Sequence, residues 1–349
     1  MRLLQEACQW QLLPSRENPP IERSLLHRNS KKSESAMPDP TSTSSESNTR
    51  ELSSQGEVGV SSESSSQDPT PRAEEEILCS IEDGLLTVTL NRPEVGNALH
   101  GTMRDRLGDI FDEASSTLSV RAVLLNARGK AFCTGADLRG SQVSRKSVLP
   151  DAEIPDEAPD QPSGYVARML HLGWQRLIAS VLDCEKPVVC AVNGTAAGGG
   201  ANLALACDLI VMGETARIIE VFVRRGIVPD AGGCYLLPRL VGLSRAKQLM
   251  FFGDDVSASE AERYGLVNSV VPSNEVEETA RQWALRLASG PTRTIAMTKR
   301  LLNRSLESDR EGAFADEAWA QEVNMVGTLD AKEGVRAFVE RRDPKYRGW

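Results

Sequence analysis

Apolar positions are sparse and irregular up to about residue 76, and they become regularly spaced from Ile77 onward. Residues 77–81 and 85–90 predict two strands joined by a turn at 82–84. Apolar side chains recur on one face from His100 to Leu118, which predicts a helix. Later segments continue in the same manner, with a strand at 122–125, a helix at 165–182, a strand at 187–192, a helix from Asn202 and a strand at 208–212.

The order strand, strand, helix repeats along the chain and indicates an α/β architecture of stacked ββα units. Beyond residue 272 the pattern is helical only, as in 275–288 and 313–326. Residues 1–76 contain a Ser/Glu-rich stretch that cannot bury enough apolar area to offset its chain entropy, so we expect this leader to be disordered. The predicted organisation is therefore a leader at 1–76, a core at 77–271 and a helical region at 272–349.

Composition excludes several classes of protein. The chain has 349 residues, a formal net charge of -9 and 5% aromatic residues. Acidity argues against a nucleic-acid partner, because phosphate binding needs clustered Lys and Arg. No apolar run approaches the roughly 20 residues that span a bilayer. We expect a cytoplasmic protein, since no apolar secretory segment opens the chain, with a mitochondrial or peroxisomal location as the alternative in a eukaryote.

Metal chemistry is not expected either. The chain has an odd number of cysteines, seven, and three histidines. No C-x-x-C pair occurs, so reduced buried thiols are a better interpretation than disulfides or a zinc site.

Two Gly-containing loops could bind an oxyanion. The first is 131–138, Ala-Phe-Cys-Thr-Gly-Ala-Asp-Leu, and the second is 193–200, Asn-Gly-Thr-Ala-Ala-Gly-Gly-Gly. Small residues let a ligand approach the backbone, and free amides at a helix start suit a negative charge. Either loop alone is more often a tight connection, but amides from both could stabilise the anion that forms in acyl chemistry.

Together with Leu90-Asn91-Arg92-Pro93, the stretch 186–208 and Pro229-Asp230-Ala231-Gly232-Gly233, these loops resemble the enoyl-CoA hydratase/isomerase (crotonase) superfamily. The resemblance covers residues 77–349. It implies a spiral of ββα units, a C-terminal helical region that forms a homotrimer or hexamer, and an acyl-CoA thioester of fatty acid or lipid metabolism as substrate without a further cofactor.

The resemblance also implies residue roles. It assigns the two oxyanion-binding amides to Ala136 and Gly199. The pantetheine and adenine of CoA would run past four further residues, which are Val95, Ala98, Asp137 and Leu138. Asp137 is expected to order its loop rather than to act on substrate. Lys299 lies where relatives place a basic residue near CoA phosphates, or on a solvated helix face.

Both glutamates of the hydratases in this superfamily are missing. Their positions hold Asn202 and Phe222. Adding water to a double bond needs a base and an acid, and neither an amide nor a phenyl ring supplies them. Asn202 would be either a first-turn helix residue or a polar group that orients the acyl chain, and Phe222 would help keep the site dry.

One carboxyl remains, that of Asp230. By itself it would be interpreted as the cap of a helix that begins at Ala231. The segment 222–230, however, resembles the branch with ring-1,2-epoxyphenylacetyl-CoA isomerase and Δ3,Δ2-enoyl-CoA isomerases, in which an Asp here is the acid/base. The resemblance implies an isomerase in which Asp230 moves a proton while the amides of Ala136 and Gly199 hold an enolate.

Other functions remain open. In the dehalogenases of the superfamily an Asp at this position is the nucleophile, but they need a His base where this chain offers Gln175. A hydratase-type enzyme and a non-catalytic acyl-CoA binder are the further alternatives.

Overall fold

The computed structural model describes residues 73–139, 157, 159 and 163–349. The prediction of a disordered leader at 1–76 falls almost entirely outside these residues. Most of the polar insert between 141 and 164 lies outside them as well.

Two sheets organise the described chain. Their strands are β1 Ile77–Glu82, β2 Leu85–Leu90, β3 Ala122–Ala127, β4 Ala131–Cys133, β5 Val188–Val192, β6 Thr195–Ala197, β7 Leu209–Gly213, β8 Arg217–Ile219, β9 Asp255–Ser257 and β10 Ser269–Val271. The helices are α1 Ala73–Glu76, α2 Gly101–Ser116, α3 Tyr165–Leu170, α4 Arg176–Asp183, α5 Gly199–Leu205, α6 Gly233–Phe252, α7 Ala258–Tyr264, α8 Val276–Ala288, α9 Thr292–Ser305, α10 Arg310–Gly327 and α11 Leu329–Glu340.

Successive strand pairs divide between the two sheets. The six-stranded sheet has the order β1-β2-β3-β5-β7-β10, and the four-stranded sheet has the order β4-β6-β8-β9. β1 and β2 are antiparallel, as are β8 and β9, while the other neighbours are parallel. In β3–β4, β5–β6 and β7–β8 the first strand therefore joins the large sheet and the second joins the small sheet. The repeated order predicted stacked ββα units, and the spiral is the arrangement that the family resemblance implied.

The inner strands of the large sheet are buried on both faces. In β3, Val123 and Leu125 belong to the main apolar core, whereas Ala122 and Leu124 face a second cluster built on α8. This division follows from the two-residue period of a strand. Because both faces are covered, the strand interiors are continuously apolar.

Most predicted elements are present with shifts of a few residues at their ends. The region after 272 is helical, as predicted, and α8 packs directly on the large sheet. The domain boundary at 272 stays a prediction. The helix predicted at 165–182 is interrupted by a π-helical turn at His171–Gln175. The helix predicted from Asn202 begins three residues earlier, at Gly199.

Candidate active site

A short backbone pairing fixes the conformation of the first loop, residues 131–138. Leu99 and Ala136 form a parallel bridge. The amide of Leu99 donates to the Gly135 carbonyl at 2.8 Å, and the amide of Asp137 donates to the Leu99 carbonyl at 3.0 Å. In a trans peptide the C=O and N–H point in opposite directions. Because the Gly135 carbonyl points towards Leu99, the Ala136 amide points away from it and is available to a ligand.

The second loop lies against the first. A Cβ on Gly135 would lie 2.8 Å from the Ala197 carbonyl and 3.3 Å from the Gly199 nitrogen. Gly135 also has a φ of 93°, so a side chain here is excluded by both space and conformation. Gly199 is the first residue of α5, and the first amides of a helix have no intrahelical acceptor. The fold thus brings the two predicted oxyanion loops into contact.

Two aromatic rings enclose the second loop. A Cβ on Gly199 would lie only 2.6 Å from the nearest atom of the Trp174 ring, which is too close for a side chain. The Phe222 ring lies 3.6 Å from the corresponding position on Gly198. Both side chains are buried. Phe222 therefore covers the oxyanion loop with an apolar surface.

Asp230 precedes a turn of unusual conformation. Ala231 and Gly232 have φ values of 50° and 75°, and the Gly233 amide donates to the Asp230 carbonyl at 3.0 Å. A left-handed alanine costs about 1–2 kcal/mol. The helix that follows begins at Gly233, with Gly232 as its N-cap and no side-chain capping bond, so the interpretation of Asp230 as a helix cap is wrong.

The Asp230 carboxyl itself is half-buried. It has no hydrogen bond or ion pair with any residue that the structure describes. Burial raises its pKa above the ordinary value for an aspartate. A poorly solvated carboxylate is a stronger base than one in water, which suits proton abstraction.

Asn202 holds the backbone of Asp230. Its side chain is fully buried, and Nδ2 donates to the Asp230 carbonyl at 3.0 Å. The structure thus gives Asn202 a contact with Asp230, while the proposed role in orienting the acyl chain stays a prediction.

Sequence reasoning missed one carboxyl, that of Glu220. It follows β8 directly and is 3% exposed. Burial, and next the negative charge of Asp230, raise the pKa of Glu220 to about 8. An acid at the end of the apolar run Ile218-Ile219 was the signal that could have identified it, because buried strands rarely contain one without a reason.

The residues predicted along the CoA path lie on two adjoining loops. Val95 and Ala98 belong to the loop after β2, and Asp137 and Leu138 follow Ala136. Arg92 joins the loops, because it donates to the Ala98 carbonyl at 2.6 Å and to the Asp137 carboxylate at 3.2 Å.

Asp137 has the ordering role that was expected. Its own loop supplies a second bond, from the Arg139 amide at 3.1 Å. Partial burial acts to raise the pKa of Asp137, but the Arg139 amide and the Arg92 guanidinium outweigh it, and the pKa is lowered. Leu138 is exposed and available to a ligand.

Both interpretations of Lys299 were wrong. Its ammonium group is buried and donates to the Asp208 carboxylate and the Val181 carbonyl, each at 2.9 Å, and to the Lys186 carbonyl at 3.4 Å. These three acceptors match the three protons of an ammonium group. Lys299 therefore fastens α9 to the core and reaches neither solvent nor a phosphate.

The described ranges contain neither a cluster of metal-ligating side chains nor a helix that could span a membrane. No group of three or more His, Cys, Asp or Glu side chains that could hold a metal ion occurs in them. Among the helices that the structure describes, none is sufficiently long and apolar to cross a membrane.

Solved structures identify the class of fold. A crystal structure of an enoyl-CoA hydratase from Bacillus anthracis superposes with a TM-score of 0.68 at 32% identity, covering 78% of this chain and 100% of that one. The described chain is thus a crotonase-type α/β spiral, as predicted.

Sequence comparison gives the family. Residues 80–348 match the model of the enoyl-CoA hydratase/isomerase family. A probable enoyl-CoA hydratase of Rhodobacter capsulatus is 35% identical over 268 residues, 77% of this chain and 96% of that protein. The 1,2-epoxyphenylacetyl-CoA isomerase of Escherichia coli K12 is 33% identical over 272 residues, 78% of this chain and 98% of that protein. The chain belongs to the enoyl-CoA hydratase/isomerase family, whose members named here include both hydratases and isomerases.

Proposed function

We propose that the protein is an acyl-CoA isomerase that moves a carbon–carbon double bond by proton transfer through Asp230. The observation that carries this proposal is the state of that carboxyl. It is half-buried, has no partner among the described residues and does not cap the helix that follows it. The positions of the two hydratase glutamates hold Asn202 and Phe222. One base remains, and double-bond migration needs only one because the proton that leaves is returned.

In the proposed reaction the thioester carbonyl accepts hydrogen bonds from the amides of Ala136 and Gly199. Asp230 takes a proton from the carbon next to that carbonyl, and the electron pair moves into a dienolate whose negative oxygen the amides stabilise. Asp230 then returns the proton two carbons further along, and the thioester carbonyl re-forms. The Phe222 ring keeps water away from the dienolate. CoA contacts Val95, Ala98, Asp137 and Leu138 on the two adjoining loops, and no cofactor is required.

The test uses a panel of enoyl-CoA thioesters and mass analysis of the products. Isomerisation conserves the mass, hydration adds a water, and dehalogenation releases halide. We expect conversion at constant mass in the wild type and a loss of about 10²–10⁴-fold in Asp230→Asn, with acyl-CoA binding retained. The matched control is Asp254→Asn, the same substitution at an exposed position elsewhere in the chain.

Isomerisation at the wild-type rate in Asp230→Asn would overturn the assignment. Water addition as the main reaction would favour the hydratase alternative, and binding without turnover would favour the acyl-CoA binder.

We further propose that the C-terminal helices join copies of the chain into a trimer or a pair of trimers, in the cytoplasm. Several large apolar side chains of α10 and α11 are exposed in the single chain, and these are Phe314, Trp319, Val323, Val326, Val335, Phe338 and Val339. Exposed apolar side chains in this number suit a protein interface. Light scattering after gel filtration should give a particle mass equal to a multiple of three chains. The double variant Trp319→Glu, Phe338→Glu should contain fewer chains per particle.

A further inference from the structure

Glu220 lies beside the oxyanion loop because of the pairing in the small sheet. Ile219 of β8 pairs with Ala197 of β6, and the Gly198 amide donates to the Ile219 carbonyl at 2.9 Å. The next residue along each strand is Glu220 on one side and Gly198 on the other. The strand register therefore places Glu220 beside Gly198, the residue before Gly199.

The surroundings of Glu220 differ from those of the other fully buried acids in the described chain, which are Glu76 and Asp330. Glu76 binds the Arg92 guanidinium at 3.1 Å and the His100 ring at 2.8 Å. Asp330 accepts two backbone amides, those of Arg347 and Gly348, both at 2.7 Å. Both carboxyl oxygens of Glu220 are buried, and neither has a hydrogen-bond partner among the residues that the structure describes. Glu220 therefore fastens nothing together.

The charged and titratable neighbours of Glu220 are few. Beside burial, the negative charge of Asp230 raises the pKa of Glu220. Burial and the negative charge of Glu220 likewise raise the pKa of the Cys234 thiol, in the first turn of α6. Arg217 and Arg224, which flank Glu220 in the chain, bind the Asp255 carboxylate at 2.8 Å and 2.9 Å. Neither arginine has an ion pair with Glu220, so an ionised Glu220 would be a second buried negative charge beside Asp230.

We infer that Glu220 works as a neutral carboxylic acid, so that the site holds only one negative charge at a time. The inference rests on the proposed function. Before proton transfer the single charge is on Asp230, and afterwards it is on the dienolate. Ionised Glu220 would repel both, and burial together with the missing partners keeps its proton in place. Glu220 itself neither gives nor takes a proton during the reaction.

The first test is the pH profile of kcat/KM in the wild type and in Glu220→Gln, a neutral variant of the same shape. In the wild type kcat/KM should fall above about pH 8, by about tenfold within one to two pH units, as Glu220 loses its proton. Glu220→Gln should keep most of the activity at neutral pH and remain flat across that range.

Two controls accompany this profile. Glu214→Gln makes the same substitution at an exposed position just before β8 and should keep the alkaline fall. Cys234→Ser removes the other titratable neighbour and should keep it too. An unchanged alkaline fall in Glu220→Gln, or its loss in Cys234→Ser, would overturn the inference.

The second test does not depend on turnover. The infrared difference spectrum of wild type minus Glu220→Gln at neutral pH should contain a carboxylic-acid C=O band that disappears as the pH is raised through about 8. In Asp230→Asn the same band should disappear at a lower pH, because one cause of the raised pKa is gone. Absence of the band at neutral pH would overturn the inference, whereas activity in Asp230→Asn would overturn only the proposed function.

Discussion

Two regions of the molecule bury carboxyl groups and treat them in opposite ways. At the start of β7, Asp208 accepts a bond from Lys299 at 2.9 Å and one from the Val188 amide at 2.7 Å. Along residues 217–233, which we call the carboxyl segment, Glu220 and Asp230 have no such partners within the described chain. In the first region the ion pair and the hydrogen bond offset the cost of removing the Asp208 carboxylate from water. The second leaves polar groups unpaired at a cost, which is expected where a group serves a reaction.

The largest effect should come from breaking the paired region. Lys299→Met leaves Asp208 buried without its cation and should lower the free energy of unfolding by about 3–5 kcal/mol. Urea unfolding measures the change. Arg300→Met, the same substitution at the exposed neighbouring position, should change it by less than about 0.5 kcal/mol. Equal losses in both variants would mean that the buried pair has no special weight.

The carboxyl segment should lose stability as the pH rises. The pKa of Glu220 is about 8 in the folded protein against an ordinary value of 4.5. Between these values the folded state holds more protons than the unfolded state, so its stability is greatest below pH 4.5 for this group and falls as the pH rises to about 8. The slope should reach about 1.4 kcal/mol per pH unit.

Glu220→Gln lacks this titration, so its free energy of unfolding should fall less over the same range, and the difference between the two curves isolates Glu220. Urea unfolding at several pH values provides both curves. Parallel curves for wild type and variant would contradict the raised pKa.

A smaller effect separates the role of Asn202 from simple packing. Asn202→Ala removes the donor to the Asp230 carbonyl and should cost about 1–2 kcal/mol of stability together with a measurable loss of isomerisation. Asn126→Ala is its matched control, because Asn126 is also buried and donates one bond, to Glu277 at 2.9 Å. It should lose similar stability and keep its activity. Equal loss of activity in both variants would make the effect non-specific.

The smallest effect should come from the surface beside the carboxyl segment. Asp255 binds Arg217 and Arg224, and all three side chains are substantially exposed. Asp255→Asn should change the free energy of unfolding by less than about 1 kcal/mol, and added salt should reduce the change. A larger effect would mean that these two surface ion pairs stabilise the conformation of the carboxyl segment.

The fold was largely predictable because its strands are short apolar runs between turn residues. Ile77–Glu82 and Leu85–Leu90 pair as expected across Asp83-Gly84, and the relative positions of the Gly-rich loops follow from the repeat. The π-helical turn at His171–Gln175 was not predictable from spacing. Its residues make contacts distant in sequence, namely Trp174 against Gly199 and the Arg104 guanidinium close to Gly173.

The candidate site was predictable in its backbone and less so in its side chains. Gly135 and Gly199 are required by close approach, and a glycine in the sequence records that requirement directly. Glu220 was not predicted because burial without a partner is a property of the folded neighbourhood, which the order of residues along the chain does not show. Lys299 was misassigned for the same reason, since its acceptors come from residues more than 90 positions away.

The alternation of strand pairs between the two sheets separates the duties of successive repeats. Ala136 follows β4 and Gly199 follows β6, so the first two repeats carry the two amides proposed to hold the thioester oxygen, while the third carries Glu220 and Asp230 in the carboxyl segment. During synthesis on the ribosome the amides are therefore made before the acids. Exchanging residues 217–233 for those of a relative would therefore change the acids, and it would also change the contacts that Ile219 and Phe222 make with Gly198.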